Sequence, residues 1–142
     1  MEMNLLDDDG WLERTWPPER AGYAWRRKRV AGEHLGAGLI ELPPGQSTFP
    51  YHYEIGNDEL VVVVSGTPTL RAPDGERELG PGDCILFPSG PDGAHKLTNR
   101  SDDLVRVGCA GARGGTSGAG PSSARTRTTG TARRSSEATR GR

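Results

Sequence analysis

Short apolar runs separated by turn residues are the feature that most constrains the fold of this chain. Turn signals such as Pro43-Pro44-Gly45, Pro73-Asp74-Gly75 and Gly80-Pro81-Gly82 recur from residue 35 to residue 108. Between them we predict strands at residues 36–42, 48–54, 59–65, 68–72, 76–79, 83–87, 93–99 and 103–108. Short strands at this spacing are typical of an all-β sandwich or barrel.

Composition supports a turn-rich β-protein. The chain has 142 residues, of which 21 are Gly and 11 are Pro, and only 32% are apolar. This balance suits many short strands better than a helix bundle. The run Leu60-Val61-Val62-Val63-Val64 is apolar on both faces. We therefore predict a strand buried on both sides, with one side towards the barrel lumen and the other towards a second sheet or a subunit.

Residues 1–30 differ from the predicted barrel. They hold four of the eight aromatic residues, Trp11, Trp16, Tyr23 and Trp25. Trp16-Pro17-Pro18 cannot lie inside a regular helix or a central strand. We predict an extended N-terminal arm over residues 1–30, whose aromatic side chains pack on the barrel of residues 31–108 or on a partner subunit. The arm and the long apolar run together suggest a homodimer.

The C-terminal segment, residues 109–142, has a different character. It contains seven Gly, seven Arg, six Ala, six Thr and five Ser, and no large apolar residue. Such a composition cannot bury apolar surface, so we predict a disordered tail. An arginine-rich tail can bind phosphate backbones without specificity, although a solvated tail with no partner is the simpler interpretation. An out-of-frame reading of a GC-rich gene is a third explanation for the abrupt change.

Charge and cysteine content limit the classes of partner. Residues 1–108 carry a net charge of −7, which argues against a barrel that binds nucleic acid specifically. The acidic N-terminus predicts no signal peptide, and no apolar stretch is long enough to span a membrane, so we expect a cytoplasmic protein. Cys84, within an apolar run, is predicted to be buried, and Cys109 to be exposed. The run Arg26-Arg27-Lys28-Arg29 could form an anion site, but a solvated strand edge is the favoured interpretation.

Strand alternation predicts a polar centre inside the barrel. His52 and Glu54 share one face of their strand, and an unpaired buried carboxylate needs a cation, a hydrogen-bond network or a proton. An adjacent antiparallel strand brings Glu59 back over them. His95 shares a face with Leu97 and Asn99, opposite Lys96, which prefers water. His95 is therefore predicted to point inward.

The same residues occur in a recognisable order. Gly45 is followed by six residues, His52-Tyr53-Glu54, four residues, Glu59, six residues and Gly66. Gly82 is followed by five residues, Pro88-Ser89-Gly90, four residues, His95, three residues and Asn99. Over residues 35–108 this order resembles the two motifs of the cupin superfamily, especially its small single-domain bacterial members. The resemblance implies a double-stranded β-helix, or jelly-roll barrel.

The resemblance also implies a metal site, with one departure from the family pattern. Glu54 stands where the second histidine of the first motif is usual, so the implied ligands are His52, Glu54, Glu59 and His95. This N/O set suits a divalent transition metal such as Mn, Fe, Ni or Zn. Asn99 is expected to make structural hydrogen bonds. Gly66, Gly82 and Gly90 are expected in turns that need positive φ. His34, outside both motifs, is expected in solvent.

Several functions remain compatible with these residues. One is a metal-dependent enzyme that acts on a small polar or phenolic molecule, as an oxygenase, decarboxylase or sugar isomerase. A second is a barrel that binds or senses a small-molecule ligand, with or without metal. A third is a structural barrel, in which His52 and Glu54 form a hydrogen-bonded pair. The sequence alone therefore leaves open whether the protein is an enzyme.

Overall fold

The computed structural model describes residues 2–14, 21–112 and 116–119. It contains eleven strands within those ranges and one short 3₁₀ turn at Pro91–Gly93. The strands are β1 (Leu12–Arg14), β2 (Trp25–Ala31), β3 (Leu35–Leu42), β4 (His52–Ile55), β5 (Glu59–Ser65), β6 (Thr69–Ala72), β7 (Gly75–Glu78), β8 (Cys84–Phe87), β9 (Lys96–Thr98), β10 (Val105–Ala112) and β11 (Thr116–Ala119). No helix in the described ranges is long and apolar enough to cross a membrane.

The strands form an antiparallel jelly-roll barrel. One wall is a six-stranded sheet in the order β1-β2-β3-β10-β5-β8. The other wall is built from the pair β11-β4 and the sheet β7-β6-β9. Isolated bridges between Ser47 and Thr98 and between His52 and His95 connect the segments of this second wall. The jelly-roll barrel that the resemblance implies is confirmed.

Alternation along the strands places the core between the two walls. On β5, Val61 and Val63 are buried, whereas Leu60 and Val64 remain 40% and 43% exposed on the outer face. The inner face of the apolar run is thus buried as predicted, and its outer face is open in the single chain. The core cluster consists of Trp25, Ile40, Leu42, Val61, Val63, Leu70, Leu79, Phe87, Leu97, Val105 and Val107.

Turn and hydrogen-bonding residues follow the predicted pattern. Gly66, Gly82 and Gly90 have φ of 80°, 91° and 91°, as expected for turns. Asn99 is fully buried, and its amide nitrogen donates to the carbonyl oxygens of Leu42 and Asp103 at 2.9 and 2.7 Å. Its oxygen accepts hydrogen bonds from the backbone and hydroxyl of Ser101. Asn99 therefore ties the turn after β9 to β3.

The C-terminal prediction needs correction at its start. β10 extends to Ala112 and β11 covers Thr116–Ala119, so regular structure continues beyond residue 108. Composition alone did not predict these strands, because backbone hydrogen bonds to neighbouring strands stabilise segments that are rich in Gly and Ala. β10 pairs with β3 over its whole length and with β5 over Arg106–Gly111. Residues 113–115 and 120–142, where the disordered tail was predicted, lie outside the described residues.

The N-terminal arm is also more integrated than predicted. β2 lies between β1 and β3, so the boundary placed after residue 30 falls inside a strand of the large sheet. Trp25 is buried and packs edge-on against Phe49, with ring centroids 5.2 Å apart. Trp11 lies on the outer face, where the guanidinium of Arg26 is 4.4 Å from its ring centroid. Trp16 lies outside the described residues.

The basic run on β2 is not the solvated edge that was favoured. β1 is the edge strand, and Lys28 is fully buried beneath residues 4–11. The Lys28 ammonium donates to the carbonyl oxygens of Asn4 and Asp7 and lies 5.1 Å from the Trp11 ring centroid. The Lys28 ammonium thereby replaces its hydrogen bonds to water with hydrogen bonds to carbonyl oxygens. Alternation along the strand does not predict this contact with the N-terminal segment.

Arg26 has its own partner on the same outer face. Glu41 on β3 is 2% exposed and accepts hydrogen bonds from Arg26 and from Arg106 on β10. Burial alone would raise the pKa of the Glu41 carboxyl, but the hydrogen bonds from the two guanidinium groups outweigh it and hold this pKa below its ordinary value. One buried carboxylate thus joins three strands, β2, β3 and β10.

We expect Glu41→Gln to lower the free energy of unfolding by about 2–3 kcal/mol, because it leaves two guanidinium groups without their carboxylate. The cost is at the low end for a broken buried pair, since both arginines are about 40% exposed and can regain water. Urea denaturation at neutral pH measures this loss. The matched control is Glu76→Gln, whose pair with Arg100 is solvent-exposed.

The expected difference depends on pH. Because the folded-state pKa of Glu41 is lowered, its stabilisation is complete above the ordinary carboxyl pKa and is lost as the pH falls through the folded value. The difference in the free energy of unfolding between the wild-type chain and Glu41→Gln should therefore become smaller in acid. An equal loss for the Glu41 and Glu76 variants at neutral pH would contradict the assigned role of Glu41.

Candidate metal centre

Two histidines lie side by side on the second wall of the barrel. His52 begins β4, and His95 lies just before β9, after the 3₁₀ turn. Their backbones form an isolated antiparallel bridge, with His95 N donating to His52 O at 2.8 Å and His52 N to His95 O at 3.2 Å. Their ring centroids are 4.8 Å apart. The bridge fixes both imidazoles on one face, as strand alternation predicted.

The histidine tautomers follow from their backbone partners. His52 Nδ1 lies 2.9 Å from the carbonyl oxygen of Pro50, and His95 Nδ1 lies 2.9 Å from that of Gly93. A carbonyl oxygen only accepts, so each Nδ1 carries the proton and donates it. In the neutral imidazole each Nε2 is then left with a lone pair. This is the arrangement in which backbone carbonyls orient histidines that bind metals.

Gly93 has a second constraint besides the hydrogen bond that its carbonyl accepts. A Cβ on Gly93 would overlap the carbonyl oxygen of Pro88. The residue therefore has to be glycine for the 3₁₀ turn to close against the end of β8. The turn sets the position of the carbonyl oxygen that His95 Nδ1 binds.

Glu59 completes the cluster from the opposite wall. It begins β5 and pairs with Phe87 on β8 and Gly111 on β10. Its Oε2 lies 3.2 Å from His95 Nε2, yet this buried oxygen has no hydrogen-bond partner among the described residues. Phe87 stacks on the His95 ring, with centroids 3.8 Å apart and planes 15° apart. The stacking holds the His95 Nε2 towards the Glu59 carboxylate.

This geometry fits a divalent cation. One donor atom each from His52, Glu59 and His95 lies within 4.8 Å of the others. With both imidazoles neutral and protonated at Nδ1, the Nε2 lone pairs and the Glu59 oxygen are all acceptors, so nothing within the cluster satisfies them. A positive ion between them would satisfy all three. Two imidazoles and a carboxylate suit Mn, Fe, Ni or Zn, and the cluster does not distinguish these metals.

Glu54 lies beside this cluster and is not part of it. Its Oε1 is 3.5 Å from His52 Nε2, and it lines the same cavity. The sequence predicts Glu54 as a fourth ligand, and that assignment stays a prediction. His34 is exposed, as predicted for a residue outside both motifs, and its Nε2 lies 3.8 Å from Glu33 Oε1.

The centre opens into a cavity of about 690 Å³. Besides His52, Glu54 and Glu59, its lining includes Arg27 and Arg29 of β2. For the basic run of residues 26–29, the sequence allowed an anion site, but a solvated edge was the favoured interpretation. The missing information was the register of β2, which pairs Arg27 with Ile40 and Arg29 with Gly38 and so directs both side chains inward. Alternation within the run was the available signal.

The two cysteines have exchanged their predicted environments. Cys84 is exposed, because it lies on the outer face of β8 opposite Val62. Cys109 lies on the inner face of β10, packs against the core and lines the cavity. Burial, assisted by the charge of Glu59, raises the pKa of the Cys109 thiol to about 11. Cys109 is therefore protonated at neutral pH, when it is a poor metal ligand and a poor nucleophile.

Comparison with known proteins agrees with this architecture. The profile described as Cupin domain matches residues 38–110, which is more than half of the chain. The chain belongs to the cupin family. The matched range includes His52, Glu59 and His95, whereas Arg27 and Arg29 of this cupin precede it. A search of curated proteins finds no match.

Several solved structures resemble this cupin. A sugar phosphate isomerase of the cupin superfamily from Silicibacter pomeroyi is 28% identical, with a TM-score of 0.67 over 75% of this chain and 73% of that chain. A provisionally assigned sugar phosphate isomerase from Acidithiobacillus ferrooxidans is 29% identical, with a TM-score of 0.61 over 65% of this chain and 61% of that chain. A polyketide cyclase from Streptomyces resistomycificus, at 19% identity and a TM-score of 0.56 over 64% and 66%, shares the fold.

We expect His52→Ala and His95→Ala to reduce the metal content of this cupin to a small fraction of the wild-type value, because each removes one of three clustered donors. Elemental analysis after loading with Mn, Fe, Ni or Zn measures the content. His34→Ala is the control, since His34 is exposed and remote from the cluster. Equal metal content in all three variants would show that the ligand assignment is wrong.

Proposed function

We propose that this cupin is a metal-dependent enzyme that isomerises a small sugar-type substrate. The observation that carries the proposal is the convergence of His52 Nε2, His95 Nε2 and a Glu59 oxygen beside a cavity that His52 and Glu59 line, where the Glu59 Oε2 has no hydrogen-bond partner among the described residues. A purely structural cluster would pair each acceptor with a donor. A site built to leave three acceptors facing one another favours a bound cation.

The cavity supports a small molecule as the ligand. Its volume of about 690 Å³ lies in the range of sites for small molecules and cofactors. Its lining combines apolar surface, from Phe49 and Ile40, with the carboxylate of Glu54 and the amide of Asn57. Apolar walls with a few polar groups are suited to orient a compact, oxygen-rich substrate.

The names of the most similar structural neighbours favour isomerisation over the other reactions that cupins perform. The two structural neighbours at 28% and 29% identity both carry the name sugar phosphate isomerase. The neighbour described as an oxalate decarboxylase is 16% identical and the polyketide cyclase is 19% identical, so those two support the fold alone.

The reaction needs no oxidant or second substrate. In an aldose–ketose isomerisation, one proton leaves the carbon that bears the hydroxyl and one is returned to the carbonyl carbon, while the hydroxyl proton moves to the former carbonyl oxygen. A bound divalent metal supplies Lewis-acid polarisation of the substrate oxygens. The proton on carbon requires a carboxylate or imidazole that is not itself a ligand. Glu54, which lines the cavity beside His52, is the group placed to carry it.

We expect Glu54→Gln to lower turnover by about 100-fold or more while metal content stays at the wild-type value, because removing a proton carrier costs rate and leaves the three donors in place. The assay measures turnover by the metal-loaded protein of a series of sugar phosphates, from triose phosphates up to hexose phosphates, and of the corresponding sugars without phosphate. Glu33→Gln, at an exposed position, is the control.

Two results would contradict this role of Glu54. Loss of metal in Glu54→Gln as severe as in His95→Ala would make Glu54 a ligand, as the family motif implies. Full metal occupancy with no turnover of any substrate by the wild-type protein would favour the alternative of a cupin that binds or senses a small ligand.

We also propose that this cupin forms a homodimer through the outer face of β5 and β8. This face carries Leu60 paired with Leu86, and Val62 paired with Cys84, and it continues to Val64. Leu86 is 61% exposed, and none of these five side chains is charged. β8 is the edge strand at the opposite side of the sheet from β1, so a second copy can cover the same strip on itself by two-fold symmetry.

We expect Leu86→Lys to convert the dimer to a monomer, because a lysine in an apolar strip would have to be desolvated at the interface. Sedimentation velocity measures the mass, and Leu6→Lys, at an exposed position on the N-terminal segment, is the control. A wild-type monomer, or a dimer that persists in Leu86→Lys, would contradict this interface.

A further inference from the structure

The turn between β4 and β5 joins the two strands that carry the carboxylates of the site. β4 lies in the second wall and carries Glu54, whereas β5 lies in the six-stranded wall and begins at Glu59. Only residues 56–58 separate the two strands. The conformation of this short turn therefore determines how the Glu54 carboxylate, beside the metal cluster, is placed relative to the Glu59 carboxylate within it.

Hydrogen bonds from the segment after β8 hold this turn. The backbone N–H of Gly56 donates to Ser89 Oγ at 2.9 Å, and the backbone N–H of Ser89 donates to Asp58 Oδ1 at 2.9 Å. The Ser89 hydroxyl donates to the carbonyl oxygen of Glu54 at 3.4 Å. The next residue, Gly90, donates its N–H to the same Glu54 oxygen at 2.8 Å. These bonds fasten both ends of the turn to one segment.

The same segment also positions His95. Ser89 follows Pro88, whose carbonyl oxygen leaves no room for a side chain on Gly93. Gly93 in turn orients the His95 imidazole through its own carbonyl oxygen. The segment after β8 therefore connects the turn that joins the two carboxylate-bearing strands with the residue that orients a histidine.

The residues around the turn belong to the cavity and not to the apolar core. Glu54, Asn57 and Glu59 all line the cavity, as does Gly111, the partner of Glu59 on β10. None of these four is a member of the buried apolar cluster. A region with few buried apolar contacts opens more easily than a packed core. Here the hydrogen bonds of the turn are the contacts that keep β4 in place relative to Glu59.

We propose that Ser89 and Asp58 are positioning residues, which act through the β4–β5 turn to fix Glu54 and Glu59 relative to the two histidines. The inference rests on the proposed function, in which Glu54 carries the proton and Glu59 binds the metal. Neither Ser89 nor Asp58 is among the described residues that line the cavity, so neither is placed to contact the substrate. Residues that orient metal ligands in this indirect way commonly change metal affinity or activity when they are replaced.

The test is calorimetric titration of the full chain with Mn²⁺. We expect the double variant Asp58→Ala/Ser89→Ala to bind Mn²⁺ about tenfold or more weakly than the wild type, and each single variant to bind with intermediate affinity. Asp58→Asn keeps the acceptor oxygen and Ser89→Thr keeps the hydroxyl, so both should bind Mn²⁺ close to the wild-type affinity. Asp58 and Ser89 are exposed, so none of these substitutions leaves a hole in the core.

Asp83→Ala is the matched control. The exposed Asp83 also accepts a backbone hydrogen bond within a turn, from Gly80 at 2.8 Å, and it is not among the described residues that line the cavity. Urea denaturation compares the stability of all variants, and Asp83→Ala should keep the wild-type Mn²⁺ affinity. Equal Mn²⁺ affinity in the wild type and the double variant, or equal weakening in Asp83→Ala and Asp58→Ala, would overturn the proposal.

Turnover separates the positioning of Glu54 from that of Glu59. At saturating Mn²⁺, the double variant should have a kcat about tenfold or more below the wild type, because a small displacement of the proton carrier costs rate. Its KM for the sugar substrate should stay at the wild-type value, since the lining of the cavity is unchanged. A raised KM with an unchanged kcat would place Ser89 or Asp58 in substrate binding and overturn their positioning role.

Failure of this inference is distinct from failure of the proposed function. Hydrogen exchange of the backbone N–H groups of His52 and His95, followed by NMR, requires neither metal nor activity. This exchange should be faster in the double variant and unchanged in Asp83→Ala, because the turn no longer holds β4 against the segment after β8. If the wild-type chain binds no Mn²⁺, the proposed function fails and the exchange experiment decides the inference: faster exchange supports it, and exchange at the wild-type rate overturns it.

Discussion

Backbone pairing of β10 with strands on both sides is the constraint on which the rest of this cupin depends. β10 pairs with β3 along its full length and with β5 over most of it. Its inner positions change along the strand. Val105 and Val107 fill the core, whereas the smaller Cys109 and Gly111 line the cavity. The same strand thus closes the apolar half of the barrel and opens the cavity in the other half. Its outer face supplies Arg106 to the carboxylate that joins β2 and β3.

The geometry of the candidate metal centre is a consequence of hydrogen bonds made elsewhere. Each histidine donates its Nδ1 proton to a carbonyl oxygen of its own loop, so each Nε2 faces the lumen as an acceptor. Phe87 holds the His95 ring from one side, and Phe49 lies edge-on to His52 with centroids 5.6 Å apart. Orientation by backbone and aromatic neighbours means that the donors are fixed before any ion arrives. The cluster is therefore a preorganised site.

Much of the fold was predictable because its signals are local. Turns punctuate the strands, and the alternation around His52 and His95 determines which side chains point inward. Glu59 came from motif order. The expected antiparallel pairing of its strand with the strand of His52 is not formed, because β5 pairs with β8 and β10, and Glu59 approaches the histidines from the opposite wall. The environments of Cys84, Cys109 and the basic run were not predictable, since each depends on which face of a strand a second sheet or segment covers. The run over Arg26–Arg29 alternates, but the sequence does not reveal that residues 4–11 cover its outer face.

The requirement for glycine at residue 93 has a consequence for engineering this cupin. The carbonyl of Gly93 orients His95, and any side chain there would collide with Pro88. A substitution would move the turn and rotate the imidazole without touching a single donor atom. Libraries that diversify the loop between β8 and β9 should keep this position fixed. Displacement of His95 in such a library would otherwise be misattributed to the randomised neighbours.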